Sequence, residues 1–291
     1  MNAPLPTSGP REIAPELARS WLLVAATKPE TFDDAARSHA DAVVLDVEDA
    51  VDASHKDSAR DDVVRWLHGS AADGRPNRAW VRINDATSEH WSPDLDGLRD
   101  APGLQGVMLA KTEFGGQVMD TFNRLGARVP VVALVESAVG IENATEIARA
   151  KGAFRLAFGS GDFRRDTGMS ADREAMAYPR ARLVISSRAG GLPGPIDGPT
   201  VGSSHPILRE QSAITVSMGM TGKLCLQSDQ TPVVNEVISP TRTDVEWAYE
   251  FLEDFDARGR IVRDGSDLPR LGRARKIMQL AEAFGVLPVT H

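Results

Sequence analysis

The stretch that decides the fold is ADAVVLDVEDAVD, Ala40 to Asp52. A β-branched apolar run through Ala42–Leu45 passes without a turn into Asp46, Glu48, Asp49 and Asp52. An apolar run of this length reads as a strand buried on both faces, as in a parallel sheet. Its carboxylates then crowd at the strand's C-terminal end. The pattern recurs along the chain as SWLLVA, AVVLDV, AWVRIN, GVMLAK, VPVVALVE, RLAFG, a weak GPIDG and GKLCLQ, starting near residues 20, 42, 79, 106, 129, 155, 194 and 222. Between these runs, segments such as PETFDDAARSHA, SHKDSARDDVVRWLHGS and IENATEIARAKGA carry helix-period apolar positions. Eight strands alternating with helices predict an α/β protein, a (β/α)8 TIM barrel, with a doubly wound sheet as the weaker alternative.

About 65 residues follow the eighth run, too many for one closing helix. The segments TRTDVEWAYEFLEDFDARG and LPRLGRARKIMQLAEAFGV predict two more helices. The expected organisation is a flexible, Pro-rich N-terminal arm over residues 1–18, a barrel over residues 19–238, and a C-terminal helical extension over residues 239–291 that packs on a neighbouring subunit.

Composition narrows the partners. The chain of 291 residues is 42% hydrophobic and 25% charged, with a net charge of −8 and no Lys/Arg block, which disfavours nucleic acid or an anionic membrane. No apolar run approaches the roughly 18 residues of a membrane span, and the start MNAPLPTSGPREIAPELARS lacks the regions of a signal peptide. A cytoplasmic protein acting on small molecules is expected. The single cysteine, Cys225, lies in the apolar run KLCL and reads as a plain buried thiol.

In a barrel of this kind, chemistry gathers at the C-terminal ends of the strands. The predicted ends supply Asp46, Glu48 and Asp49 from the second strand, Arg82 and Asn84 from the third, and Lys111 and Glu113 from the fourth. They also supply Glu136 from the fifth, Asp162 from the sixth, and Gln227 and Asp229 from the eighth. Any one of these carboxylates reads equally as a helix cap. Together around one cavity they would repel unless a cation compensates. Glu136 and Asp162, on consecutive strands with no His or Cys beside them, form an all-oxygen pair suited to Mg²⁺ or Mn²⁺. Asp46, Glu48 and Asp49 would support bound water and position Arg82. In FGSGDF the third glycine of a dinucleotide fingerprint is missing; Gly159 and Gly161 serve either a tight turn or the approach of backbone amides to a substrate carboxylate.

These motifs resemble the citrate lyase β-subunit-like family of CoA-ester lyases, in the aldolase/citrate lyase superfamily. The resembling residues are Arg19-Ser20, LDVEDAV with Lys56 and Ala59-Arg60, VRIN (81–84), MLAKTE (108–113), ALVESAVGIENATEIA (133–148), FGSGDF (158–163), GMTGKLCLQSDQ (219–230) and DLPRLGRAR (267–275). The resemblance implies a Mg²⁺-dependent barrel, a homotrimer, that cleaves or forms a C–C bond in malyl-, citramalyl- or citryl-type CoA esters through a 2-oxo acid. It implies Glu136 and Asp162 as metal ligands, and Arg82 and Glu48 as catalytic residues. Asp46, Lys111 and Gly161 would join Arg82, Glu136 and Asp162 around the substrate. It also implies that Asp267 reaches a neighbouring site, although an N-cap of the last helix explains that residue equally well. The chain departs from the family pattern at Ala25-Ala26-Thr27, where Pro-Gly is usual, and at Leu226-Gln227-Ser228-Asp229-Gln230, where Ile-His-Pro-x-Gln is usual. Both departures fall at the mouth of the site. A metal-dependent aldolase on free hydroxy-oxo acids, an acyl-CoA thioesterase and a catalytically silent ligand-binding protein therefore remain as alternatives.

Overall fold

A computed structural model describes residues 12–72, 74–202 and 204–286. The eight predicted runs form β1 (Ser20–Ala25), β2 (Ala42–Asp46), β3 (Ala79–Ile83), β4 (Leu104–Leu109), β5 (Val131–Val135), β6 (Ala153–Phe158), β7 (Ile196–Asp197) and β8 (Gly222–Cys225). All pair in parallel in sequence order, and β8 returns to β1 through Trp21 opposite Leu224. That closure rules out the doubly wound alternative. Helices α1 (Phe32–Ala36), α2 (Lys56–Leu67), α3 (Trp91–Leu98), α4 (Gly115–Arg124), α5 (Ala138–Glu142), α6 (Ala144–Arg149), α7 (Ser160–Thr167), α8 (Ala177–Ala189), α9 (His205–Ser217) and α10 (Gln230–Ile238) follow the strands. The helix-period segment IENATEIARAKGA is divided between α5 and α6 at Asn143, whose Nδ2 donates to the Glu113 carbonyl.

Side chains alternate along each strand between two cores. Trp21, Val44, Trp80, Met108, Val132, Leu134, Ile196 and Leu224 fill the barrel interior, while Leu22, Leu45, Val81, Leu109, Val135 and Leu156 pack outward against the helices. Trp80 lies edge-on to Trp21 at 5.1 Å and stacks on Phe154 at 5.3 Å. Gly106 opposite them has no alternative, because a Cβ there would come within 2.1 Å of the Trp80 ring. The interior below the rim is therefore solid, and polar groups are confined to its ends.

At the N-terminal end, the Arg155 guanidinium is fully buried and donates to the carbonyls of Pro15, Ala18 and Gly194 and to Thr221 Oγ1. The flexible arm expected over residues 1–18 lies, for residues 1–11, outside the described residues; over Pro15–Ala18 these hydrogen bonds seat the chain on the barrel floor.

The extension is a hairpin of α11 (Arg242–Ala257) and α12 (Asp267–Phe284) with its own small core of Ala248, Phe251, Phe255, Leu271 and Ala274. Trp247, Phe251 and Phe255 recur every four residues along α11, so they share one face. Arg273, Arg270 and Arg258 lie over the three rings in turn, 4.9–5.0 Å from their centroids. Phe284 at the end of α12 lies under the Arg19 guanidinium at 4.0 Å and ties the hairpin to the start of β1.

Candidate active site

Strand register brings the predicted residues together. Asp46 is the direct β-partner of Arg82, so both side chains project inward at one level of the rim. The Arg82 Nε and Nη2 donate to the two Asp46 oxygens at 2.7 and 2.6 Å, a bidentate fork, and Arg82 Nη1 lies 3.6 Å from Glu48. Burial opposes the charge on Arg82, but Asp46, with Glu48 and Glu136 behind it, raises its pKa above the ordinary arginine value. Glu48 responds in the opposite sense. Its burial pushes the carboxyl up, against the pull of Arg82 and Lys111. For Asp49, hydrogen bonds from Glu48 and Lys111 overcome burial and draw the pKa down.

The loop after β2 is pinned from beneath. Lys56 Nζ donates to the carbonyls of Val47 and Glu48 at 2.9 and 2.7 Å and to Asn84 Oδ1 at 2.7 Å. Asn84 in turn donates to Asp94, which also holds Arg60 at 2.9 Å. Lys56 and Arg60 thus fix the acidic loop without facing the cavity. Asp94 escaped the sequence reading because it sits in the first turn of α3, eleven residues beyond the end of β3.

Lys111 joins the two halves of the rim. Its backbone N–H donates to Glu136 Oε1 at 2.8 Å, while its ammonium bridges Glu48 and Asp49. The expectation that Lys111 binds substrate meets a side chain already occupied by these carboxylates. Glu113 accepts a hydrogen bond from Ser137 at 2.6 Å and so belongs to the turn after β5.

Glu136 projects from the end of β5 beside the end of β6. A Cβ on Gly159 would come within 2.1 Å of Glu136 Oε2, so the absence of a side chain at 159 makes the space for this carboxylate. Burial raises Glu136 from 4.5 to about 8, reinforced by the charges of Asp162 and Glu48 and countered by the Lys111 amide and Arg82. Asp162, in the first turn of α7, has Oδ1 3.2 Å from the exposed Arg165, while its Oδ2 is buried without a hydrogen-bond partner among the described residues. Gly161 lies in the same first turn, whose amides have no intrahelical acceptors, with open space where a Cβ would stand.

A buried carboxyl whose charged form is disfavoured by desolvation and a neighbouring oxygen left unsatisfied fit a hard divalent cation. No cluster of three or more His, Cys, Asp or Glu side chains arranged for a metal occurs among the described residues.

On the opposite side of the mouth, Gln230 is buried and clamps two loops. Its Oε1 accepts from the Leu226 and Gln227 amides at 2.8 and 3.3 Å, and its Nε2 donates to the Thr200 and Gly202 carbonyls at 3.1 and 3.0 Å. Gln227 and Ser228, at the altered positions, are exposed on this clamped edge, and Asp229 lies 3.5 Å from His205. The motif supplied Gln230 but not its role, because its partners lie some thirty residues away. Cys225 is fully buried, and burial pushes its thiol up to about 12.

Asp267 is not brought to this rim within the chain. It accepts from Arg258 Nη1 at 2.8 Å and from the Arg263 amide at 2.8 Å at the tip of the hairpin, and the Arg258 hydrogen bond lowers its pKa.

Fold and site together define a (β/α)8 barrel with an acidic, arginine-bearing C-terminal rim and an appended helical hairpin. The chain belongs to the HpcH/HpaI aldolase/citrate lyase family, whose pattern matches residues 19–228, while the HpcH/HpaI aldolase C-terminal domain matches residues 243–285. It is 29% identical over 273 residues to the mitochondrial citramalyl-CoA lyase of Homo sapiens, covering 84% of this chain and 79% of that one. It is 26% identical over 307 residues to the L-malyl-CoA/beta-methylmalyl-CoA lyase of Cereibacter sphaeroides, covering 91% and 94%. The solved structure of CitE from Mycobacterium tuberculosis in complex with magnesium, acetoacetate and coenzyme A is similar with a TM-score of 0.76 at 27% identity, covering 92% of this chain and 99% of that one. The family is one of carbon–carbon lyases, and magnesium-bound structures occur within it. No helix among the described residues is long and apolar enough to cross a membrane.

Proposed function

We propose that this protein is a Mg²⁺-dependent lyase, or in reverse a synthase, of a small 3-hydroxyacyl-CoA ester of the malyl, citramalyl or citryl type. The observation that carries the reading is the pair Glu136 and Asp162, a buried carboxyl whose pKa burial raises and a buried oxygen without a hydrogen-bond partner among the described residues, beside a fixed arginine. These two residues would hold the cation, which when bound polarises the oxygens of a 2-oxo acid. Mn²⁺ would serve in its place.

Arg82 has five N–H donors, of which Asp46 takes two. Nη1 lies 3.6 Å from Glu48, and the N–H groups not taken by Asp46 would serve a substrate carboxylate or developing oxyanion, with no reorganisation because Asp46 holds the plane. Glu48 and Asp46 keep that guanidinium in place. In the cleavage direction a base takes the hydroxyl proton of the substrate, the C–C bond breaks to leave the 2-oxo acid, and its electron pair passes to the thioester enolate. Protonation of that enolate at carbon completes the balance.

Asp267 is our candidate for this proton transfer, acting in a neighbouring subunit of a homotrimer. The hairpin tip supports that reading, since Ile261, Val262 and Leu268 around Asp267 are 67%, 47% and 60% exposed. Such side chains gain from burial against a second copy.

The test is mass-spectrometric turnover of malyl-, citramalyl-, methylmalyl- and citryl-type CoA esters with and without Mg²⁺, using Glu136→Ala as blank. Metal-dependent release of a 2-oxo acid and a shorter acyl-CoA is the expected result. Release of CoA without a 2-oxo acid would replace the proposal with thioester hydrolysis, and no turnover across the panel would direct attention to free hydroxy-oxo acids. Mixed oligomers of Asp267→Asn and Arg82→Ala chains should regain activity if sites are shared; no recovery in verified mixed oligomers removes Asp267 from the site.

A further inference from the structure

Lys111 adopts φ 48°, in the left-handed region that residues with a Cβ avoid. Ala127 and Arg260 are the other non-glycine residues with positive φ among those described, and both close helix ends, donating their amides to the carbonyls of Phe122 and Phe255. Lys111 instead stands at the candidate active site, where the turn has two outputs. It aims the backbone amide at Glu136 Oε1, 2.8 Å away, and sends the side chain to Glu48 and Asp49 on the loop after β2.

The first output needs no side chain. Glycine would deliver the same amide in this conformation with less strain. Retaining lysine there is explained by the second output, so the ammonium is the group the strained turn exists to place.

We propose that Lys111 is a positioning residue: its ammonium holds Glu48 and Asp49 in the arrangement that keeps Glu48 against Arg82, while its amide fixes Glu136. One residue thereby sets the distance between the arginine half and the metal half of the rim. The role in turnover rests on the function proposed above; the role in holding the two acidic side chains does not.

Glu48 is the intermediary. It lies between the Lys111 ammonium and Arg82 Nη1, 3.6 Å from the latter, and is nearly inaccessible to water. Without the ammonium, Glu48 and Asp49 adjoin each other with Arg82 the remaining cation beside the Glu48 carboxylate, since Lys56 is engaged by the loop carbonyls beneath. Glu48 then turns toward solvent and Arg82 loses one wall.

The experiment replaces the ammonium by chemistry. Lys111→Cys is alkylated with 2-bromoethylamine, which forms an aminoethyl thioether of lysine length, or with iodoethane, which forms a neutral thioether. The native Cys225 does not compete, being fully buried with its thiol pushed up to about 12. Three readouts are taken: melting temperature without metal, Mn²⁺ affinity by electron paramagnetic resonance, and turnover of whichever CoA ester the wild type cleaves.

The expected result is a lowered melting temperature and about 10²-fold slower turnover in Lys111→Cys, both largely restored by the aminoethyl group and neither by the ethyl group. Mn²⁺ affinity stays within about threefold throughout, because the amide to Glu136 is backbone. Equal behaviour of the two thioethers, or a wild-type melting temperature and rate in Lys111→Cys, overturns the proposal. If the wild type cleaves no ester, the functional reading falls alone, and the melting temperatures still decide whether the ammonium organises the site.

Discussion

Gly159→Ala adds one methyl group to the candidate active site, and the structure says where it goes. The new Cβ would stand 2.1 Å from Glu136 Oε2 and 2.4 Å from Glu136 Cβ, against an ordinary contact of 3.4–4 Å. The backbone itself accepts alanine, since φ −85° and ψ 74° lie near the inverse γ-turn minimum. The cost is therefore steric. Either Glu136 or the end of β6 retreats by about 1 Å, whereas a metal site tolerates about 0.2 Å in its ligand distances. If Glu136 and Asp162 are the ligands proposed above, displacing one of them that far should weaken Mn²⁺ binding by about 10 to 100-fold, with overpacking destabilising the fold by about 1 to 3 kcal/mol. Titration calorimetry or Mn²⁺ electron paramagnetic resonance reads the first effect and differential scanning calorimetry the second. Gly161→Ala is the internal control, because nothing lies within 4 Å of its Cβ position. Wild-type Mn²⁺ affinity in folded Gly159→Ala protein would show that the Glu136 carboxylate is not the group held there for a cation.

Under the proposed function, Glu136 should also make metal binding sensitive to pH. Its carboxyl is raised from 4.5 to about 8, so between those values the folded chain keeps a proton that the unfolded chain has released. The metal-free protein should lose stability as pH climbs through that window, and cation binding near neutrality should expel close to one proton. Calorimetry in buffers of different ionisation enthalpy measures that proton; Glu136→Gln should abolish both effects, and their survival would assign them elsewhere. Arg82→Ala should destabilise the protein by about 3 to 5 kcal/mol by stranding Asp46 and Glu48 in the interior, a loss visible in chemical denaturation. A denaturation midpoint equal to wild type would contradict the buried pair. Gln230→Leu should expose the Leu226 and Gln227 amides to rapid hydrogen exchange while leaving the end of β5 protected; unchanged exchange at 226–227 would refute the clamp.

Much of this architecture was legible because a parallel barrel buries both faces of its strands. Continuous apolar runs such as AVVLD and VVALV then announce strands directly, and the expected starts agree with the observed ones to within two residues. Barrel closure was legible only as a count of elements, since the pairing of Trp21 with Leu224 joins residues some two hundred apart. The candidate site was legible where strand ends carry it: Asp46, Arg82, Glu136 and Asp162 gather because the barrel turns linear order into one ring. What joins them was not. The left-handed turn at Lys111 has no glycine or asparagine to announce it, and the Gln230 clamp and the Asp94 anchor link distant loops through hydrogen bonds without a local pattern. Asp267 marks another limit, because the partner of a hairpin tip is set by another surface.

The charge at the end of β2 has an explanation in the way the rim divides. Asp46, Glu48 and Asp49 face Arg82 and Lys111, and the ammonium of Lys56 secures the loop beneath through its carbonyls. Each of these acidic side chains has a cation within reach, so this half is assembled before any ligand arrives. Glu136 and Asp162 form the other half: burial of Glu136, with the charge of Asp162 beside it, outweighs the Lys111 amide and Arg82, and Asp162 has only the exposed Arg165 on one oxygen and no partner on the other. A bound cation would relieve such an imbalance. The acidic burst after β2 therefore serves Arg82, giving it a fixed orientation, and under the proposed function the cation falls to the two carboxylates after β5 and β6. Substitutions in the first half should act through the geometry of the arginine, and those in the second through the affinity for the cation.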